Sequence, residues 1–373
     1  ITRLIARTPG AARVGNGEMS GQMQYRGLFG PRLNLRIDGH SFASGGPNLM
    51  DPALHYAPTP LVAAVHIDRP VSEGPGIGGG ADAVFKKTDY ANSSEATLGY
   101  DLMIGGRTVN DSLSTGGIIG ASTDTWRANL LGAYEEGGDT AYKDGTIGGS
   151  EFQRSIQGLS TGLRTDLGEF SLDWRRHNTG FSGNPPFGMD IRFVDTDVVK
   201  ASYEKSFGDI LIEASASYTD AAHGMNTYDL RPAMMRREAL AYAITRKADI
   251  SATFPAFGGR LQLGADTAEE DHNIHVVEPE NLDNYVYSLP DIVIDRYGAF
   301  AEWTGTLGAF NAELGLRVDE YDGKGGTAIF GEDASMGQKM LAASYNASDR
   351  RADATTVDAA ARLWRPITDD LTW

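Results

Sequence analysis

The chain of 373 residues contains no cysteine. It can form no disulfide and no thiolate metal site, so any metal must be held by imidazole, carboxylate or thioether. Basic residues are also scarce: 33 Lys and Arg stand against 50 Asp and Glu, a formal net charge of −17. That balance disfavours the phosphates of nucleic acid, and no nucleic-acid partner is expected. No apolar run approaches the roughly 18 residues that a membrane-crossing helix needs. There is no Gly-x-Ser-x-Gly, no phosphate-binding loop and no pair of carboxylates in a catalytic setting, so neither an enzyme nor a catalytic cofactor is expected. The opening "ITRLIARTPG" has neither an initiating Met nor a leader, which reads as a shortened chain.

Glycine, by contrast, is abundant, with 46 residues. Residues 1–92 hold short strand candidates such as "RLNLRIDG" and "LVAAVHIDR" between Gly- and Pro-rich turns. The run "EGPGIGGG" at 73–80 is too glycine-rich for a regular element and reads as a turn passing close to other backbone. This is the pattern of a small α/β domain. Residues 93–373 read differently, as long alternating runs. In 209–219, Ile210, Ile212, Ala214, Ala216 and Tyr218 share one face, while Glu213, Ser215, Ser217 and Thr219 share the other. Residues 169–177 and 309–319 alternate in the same way. Period two means strands with one apolar and one polar face.

Short turns, near 121–125, 166–168, 207–209, 253–258 and 305–308, alternate with long polar loops near 136–153, 179–195, 221–238, 271–292 and 319–351. A large secreted β protein has no reason to gather its long loops at one end. A transmembrane antiparallel β-barrel does, with its apolar faces toward lipid. Aromatics near strand ends, Trp126, Trp174, Tyr218, Tyr297 and Trp303 among them, suit interfacial girdles. The expected fold class is therefore mainly β. About twelve strands are counted, with a thirteenth opening at "DDLTW", and the 1–92 domain sits in the lumen. A barrel of this size behind a separate domain points to the plugged class of about 22 strands, with about ten strands beyond this chain.

The segments "RTPG" (7–10), "QYRG" (24–27), "LRIDG" (35–39) and "VHIDRPVSEGPGIGGGADAVFKK" (65–87) then resemble the plug of TonB-dependent outer-membrane receptors. The resemblance implies a plug at 1–92, a barrel at 93–373, an outer-membrane location, lipid around the barrel and TonB as the periplasmic partner. It departs at Asp82, where the family often has Asn. A narrower resemblance, carried by "SGGPNLMDPALHYAP" (44–58) and "HGM" (223–225), is to copper-type receptors. It implies copper as transported cargo, held by Met50, His223 and Met225, with Gly46 standing where those receptors carry a cysteine.

Thioether and imidazole together suit Cu(I). Parity agrees: if the strand ending near Thr219 continues, residues 223 and 225 both face inward. With no thiolate, His40 or His55 could complete the site. Met19 and Met23 read as packing, or as a lower station on a methionine path. A rival Zn(II) site is "AEEDHNIHVVEPE" (268–280), with His272, His275, Glu269, Glu270, Asp271 and Glu278 in a loop. Arg26, Asp38 and Arg69 are expected to be buried against barrel acids. The function expected is copper import by a TonB-dependent receptor; the alternatives are another cargo, such as zinc or a metal chelate (a siderophore included), or a surface barrel that transports nothing.

Overall fold

The computed structural model describes every residue except 1–4, 16, 20, 42, 47–49, 69–73, 75–78, 369, 370 and 373. Arg69 and, Gly74 aside, the glycine run at 73–78 thus lie outside the described residues.

The first domain is built of two small sheets. Strands β1 (Ala11–Gly15), β2 (Gly21–Tyr25) and β3 (Leu28–Phe29) pair antiparallel. Strands β4 (Asn34–Ile37), β5 (Val62–Asp68) and β6 (Gly80–Phe85) form the second sheet in the order β4-β6-β5, with β4 parallel to β6. Between them run 3-10 turns at Gly30–Arg32, Ala53–Tyr56 and Thr59–Leu61. The "IDG" turn needs the left-handed region at both Asp38 (φ 51°) and Gly39 (φ 71°). Asp82 supports that turn: its carboxylate oxygens accept from the Gly39 N–H at 2.9 and 3.1 Å. The acid thus does the accepting that an amide oxygen would do.

Strands β7 (Thr97–Arg107), β8 (Ser112–Ser122) and β9 (Trp126–Gly137) follow, then a small hairpin of β10 (Thr140–Tyr142) and β11 (Gly145–Ile147). The chain continues through β12 (Phe152–Thr165), β13 (Gly168–Thr179), β14 (Asp190–Phe207), β15 (Ile210–Asn226), β16 (Glu238–Ala256), β17 (Gly259–Glu278), β18 (Asn281–Leu307), β19 (Phe310–Lys324) and β20 (Arg351–Trp364). Apart from the β10–β11 hairpin, these make one antiparallel sheet of 12 strands, each paired with its neighbour in sequence. Period two holds throughout: on β7, Leu98 (80% exposed) and Ile104 (78%) point outward, while on β19 the inward Arg317 and Asp319 are fully buried. That is the pattern of an apolar surface in lipid and a polar interior.

The short turns fall where expected, and so do the long connections, with two exceptions. β15 runs on to Asn226, so the loop expected at 221–238 begins only at 227, and residues 271–292 do not form a loop: β17 and β18 continue as one long hairpin that turns at 279–280, with register shifts near Ile274 and Glu278. The longest connection, between β19 and β20, instead carries a helix, α1 (Met336–Ala347), opened by a Ser335/Gln338 capping box. The strand expected at "DDLTW" differs too. Its described part, Leu371–Thr372, pairs with Pro366–Thr368 and does not join the large sheet.

The first domain lies against the inner face of the sheet. Arg175 of β13 binds Asp38 at 2.7 Å, Lys200 of β14 donates to the Asp38 carbonyl at 2.6 Å, and Thr245 of β16 accepts from the Ala43 N–H at 3.0 Å. Asp38 is thus paired with barrel bases, not acids. Burial opposes its ionisation, but Arg175, Lys87 and Lys200 outweigh that and hold its carboxyl below the usual carboxylate range. Arg26 corrects the expectation further: it is exposed, with its guanidinium over the Tyr25 ring.

Candidate metal site between the first domain and the sheet

Strand β15 continues past Thr219 in unbroken register with β16, pairing His223 with Ala241 and Met225 with Ala239. Odd positions therefore keep facing inward, and Thr219, Ala221, His223 and Met225 are all buried in one row. On the other side, a β-bulge between Ile191 and Phe193 of β14 turns Arg192 outward. Ile191 and Val194 can then both pack inward beside Met225 and His223. His223 and Met225 thus lie in a strand, not in a loop, and are buried.

Described residues of the first domain between His40 and Ala57 lie against this row. His40 Nε2 meets Thr219 Oγ1 at 2.8 Å, and His272 Nε2 donates to the Gly45 carbonyl at 3.1 Å. Met50, His223 and Met225 are 3%, 0% and 1% exposed, and both methionines belong to the same contiguous apolar core. Met50 is joined in sequence to Asp51, whose Oδ1 lies 3.0 Å from His223 Nδ1. Met50 is thus next in sequence to the residue that binds His223, on a segment that reaches the strand carrying His223 and Met225.

Asp51 was not foreseen. It is fully buried, and five donors converge on its two oxygens. Oδ1 receives Ser44 Oγ (2.6 Å), the Gly46 N–H (2.7 Å) and His223 Nδ1 (3.0 Å). Oδ2 receives the Gly45 N–H (3.1 Å) and Tyr56 OH (2.5 Å). Burial alone would raise its pKa, but His223, Ser44 and Tyr56 together hold it well below the usual carboxylate range, so it is ionised. Because the carboxylate accepts at Nδ1, that nitrogen carries a proton, which leaves Nε2 as the ring nitrogen that can ligate. Nε2 is buried and, among the described residues, has no hydrogen-bond partner. Gly46 is required by space: a Cβ there would overlap both the His223 ring and Asp51 Oδ1.

Neither histidine expected to complete the site does so. His40 is engaged by Thr219. His55 spends both nitrogens, donating from Nδ1 to the Met19 carbonyl at 3.1 Å and meeting Thr179 Oγ1 with Nε2 at 2.8 Å. His177 of β13 reaches the same Thr179 hydroxyl at 2.8 Å. Met23 is core packing, and Met19 is buried above His55. Nor do the rival zinc residues converge. His272 is held by Gly45, His275 stacks on Tyr287 at 5.4 Å, and Glu278 pairs with Arg237 at 2.9 Å. Among the described residues, no three His, Asp or Glu side chains form a metal-holding group.

Burial, reinforced by Lys247, Arg175 and Lys200 around His40 and by Arg154 beside His55, lowers these histidines to about 2 and about 4. Both are neutral in the docked domain. Away from the sheet they protonate near 6.5, so their contribution is complete above that value and is lost as pH falls toward the docked value. Docking of the first domain should weaken by roughly 1.4 kcal/mol per pH unit for each histidine below about pH 6.5. Hydrogen exchange across residues 34–61 should be faster at pH 5 than at pH 7.5, after correction for intrinsic rates; equal protection at both would refute this.

Residues 125–373 match the family model described as TonB dependent receptor-like, beta-barrel. No curated protein matches the sequence. Among solved structures, the chain is similar to the copper transporter OprC (TM-score 0.81, 19% identity, 99% of this chain and 59% of that one). It is also similar to the hemophore receptor HasR of Serratia marcescens (0.71, 17%, 100% and 59%). A third similar structure is the ferric citrate transporter FecA (0.68, 11%, 99% and 58%). The chain thus spans less than two thirds of each of these structures, and at these identities the likeness is one of fold.

Proposed function

From the premise that this chain belongs to the TonB-dependent receptor-like β-barrel family, whose members are outer-membrane receptors and not enzymes, we propose that it imports copper. In this reading residues 1–92 are the plug and 93–373 belong to the barrel. Cu(I) binds between them at Met50, His223 and Met225. TonB, acting from the periplasm, supplies the work of release by pulling on the plug.

The observation that carries the reading is His223 Nε2. It is a buried nitrogen, left by the Nδ1–Asp51 bond as the one that can ligate and without a hydrogen-bond partner among the described residues, on the same strand face as Met225 and against the segment that bears Met50. Burying such an atom unpaired costs free energy unless something binds it. Thioether sulfur has no proton to lose and prefers soft Cu(I) to Zn(II), Mg(II) or Ca(II). Similarity to a copper transporter adds weight to this cargo over a chelate.

The test is metal binding by protein purified in detergent under reducing conditions, titrated against a Cu(I) chelator. About one Cu(I) should bind per chain. His223→Ala should abolish binding, and Met50→Ala and Met225→Ala should each weaken it about tenfold or more. Equal binding of Zn(II), lost with His272→Ala, would make zinc the cargo instead.

A further inference from the structure

We propose that Asp51 is the positioning residue of this site and sets it for a monovalent cation. The inference rests on the copper reading and deepens it. Five donors fill the carboxylate, which has about four lone-pair directions, so Asp51 has no electron pair left to coordinate a metal. Its action is indirect. By accepting from Nδ1 it fixes both the tautomer and the ring orientation of His223, which is what a carboxylate behind a ligating imidazole does.

It also sets the charge. His223 and the two methionines are neutral ligands, and Asp51 is the formal charge in direct contact with His223 among the described residues. Arg154, which donates to the His55 carbonyl, is paired with Glu135 through a 2.6 Å bond. One buried negative charge is balanced by one monovalent cation. A divalent ion would leave an uncompensated positive charge among buried side chains, which is costly. Specificity for Cu(I) or Ag(I) over Zn(II) then has two sources: the softness of the sulfurs and the single carboxylate behind the imidazole.

The loop geometry suits this role. Asp51 is gripped by the N–H groups of Gly45 and Gly46, by Ser44 and by Tyr56, so it cannot swing toward the ion, and Gly46 lacks the side chain that would separate it from His223.

The experiment uses the whole chain in detergent, with Ag(I) as a redox-inert probe beside Cu(I). In protein labelled with nitrogen-15 at histidine, silver-109 coupling should appear at Nε2 of His223. Asp51→Asn, which keeps the size but removes the charge, should weaken Ag(I) and Cu(I) about 10- to 100-fold and should move or abolish that coupling. Ser44→Ala and Tyr56→Phe each remove one donor and leave the charge, and should stay within about threefold of wild type. Loop packing alone would make all three variants alike and would leave the coupled nitrogen unchanged. Coupling at Nδ1 in the wild type, or Asp51→Asn within about threefold of it, would overturn the inference while leaving the copper reading standing. Zn(II) binding as tight as Ag(I), kept in His272→Ala and lost in His223→Ala, would also overturn it. Undiminished binding in Met225→Ala would remove the site itself and this inference with it.

Discussion

Gly46→Cys should weaken Cu(I) binding, even though it installs the thiol that the resembling receptors use and this chain lacks. A Cβ at 46 falls inside contact distance of the His223 ring and of Asp51 Oδ1. Neither can retreat cheaply: Asp51 is held by four further donors, and His223 is fixed in the ladder between Val194 and Ala241. Forcing the side chain in costs about 1–3 kcal/mol of overpacking. Losing the charged hydrogen bond between Asp51 and His223 adds about 1.5–3 kcal/mol. A change of about 3–5 kcal/mol, read by denaturant unfolding, should accompany the loss of metal. The double variant Gly46→Cys/Asp51→Ala removes the carboxylate that the new side chain meets and replaces its charge with a thiolate. It should recover part of the Cu(I) binding lost in Gly46→Cys, short of wild type because the His223 ring is still crowded. If Gly46→Cys alone bound Cu(I) more tightly than wild type, the place of Asp51 at this site would be wrong.

The same pair shows where sequence reading stops. Parity along β15 placed His223 and Met225 inward, because strand geometry is local and a period of two survives any distance along an unbroken ladder. The loop rhythm located the five short turns for a similar reason: the lipid-facing runs are fixed in length by the membrane. Asp51 is different. Its donors come from Ser44, Gly45, Gly46, Tyr56 and His223, and only folding brings these to one point. An aspartate after a methionine in a Pro-rich loop carries no such information. Gly46 reads as an absent ligand in the sequence and as occupied space in the fold. The hairpin of β17 and β18 was missed because the alternation is a membrane signal. Beyond the lipid the outer face of a strand meets water, so "AEEDHNIHVVEPE" lacks the outward apolar row of a membrane strand, while the backbone ladder persists with cross-strand pairs such as Arg246–Glu269. Arg26 was misplaced for a simpler reason. Its left-handed turn, at φ 51°, aims the side chain away from the sheet and over Tyr25.

Arg317→Leu should be the most damaging single change in the wall of the large sheet, although it touches neither the metal site nor the first domain's docking bonds. Arg317 is fully buried, donating from Nε and Nη2 to Asp319 at 2.7 and 2.6 Å and from Nη2 to Asp266 at 3.0 Å. Arg296 completes the cluster, bonding Asp319 at 2.7 Å and Asp266 at 2.5 Å. Two bases and two acids balance. Gly298 makes the arrangement possible: in register it stands directly between Asp266 of β17 and Asp319 of β19, and a Cβ there would run into Arg317 Nη2 and Asp319 Oδ1. The missing side chain on the middle strand is the space in which carboxylates two strands apart share the same guanidinium groups. Removing Arg317 leaves two buried acids on one base and should cost about 3–5 kcal/mol, the price of stranding a buried charge. Removing a balanced pair, as in Arg317→Leu/Asp319→Leu, should cost clearly less than Arg317→Leu alone. Gly298→Ala should act in the same direction as Arg317→Leu by displacing the cluster. Denaturant unfolding of the four proteins in detergent decides the matter. A double variant that loses as much as Arg317→Leu or more, or a Gly298→Ala variant as stable as wild type, would show that the four charges do not act as one buried unit.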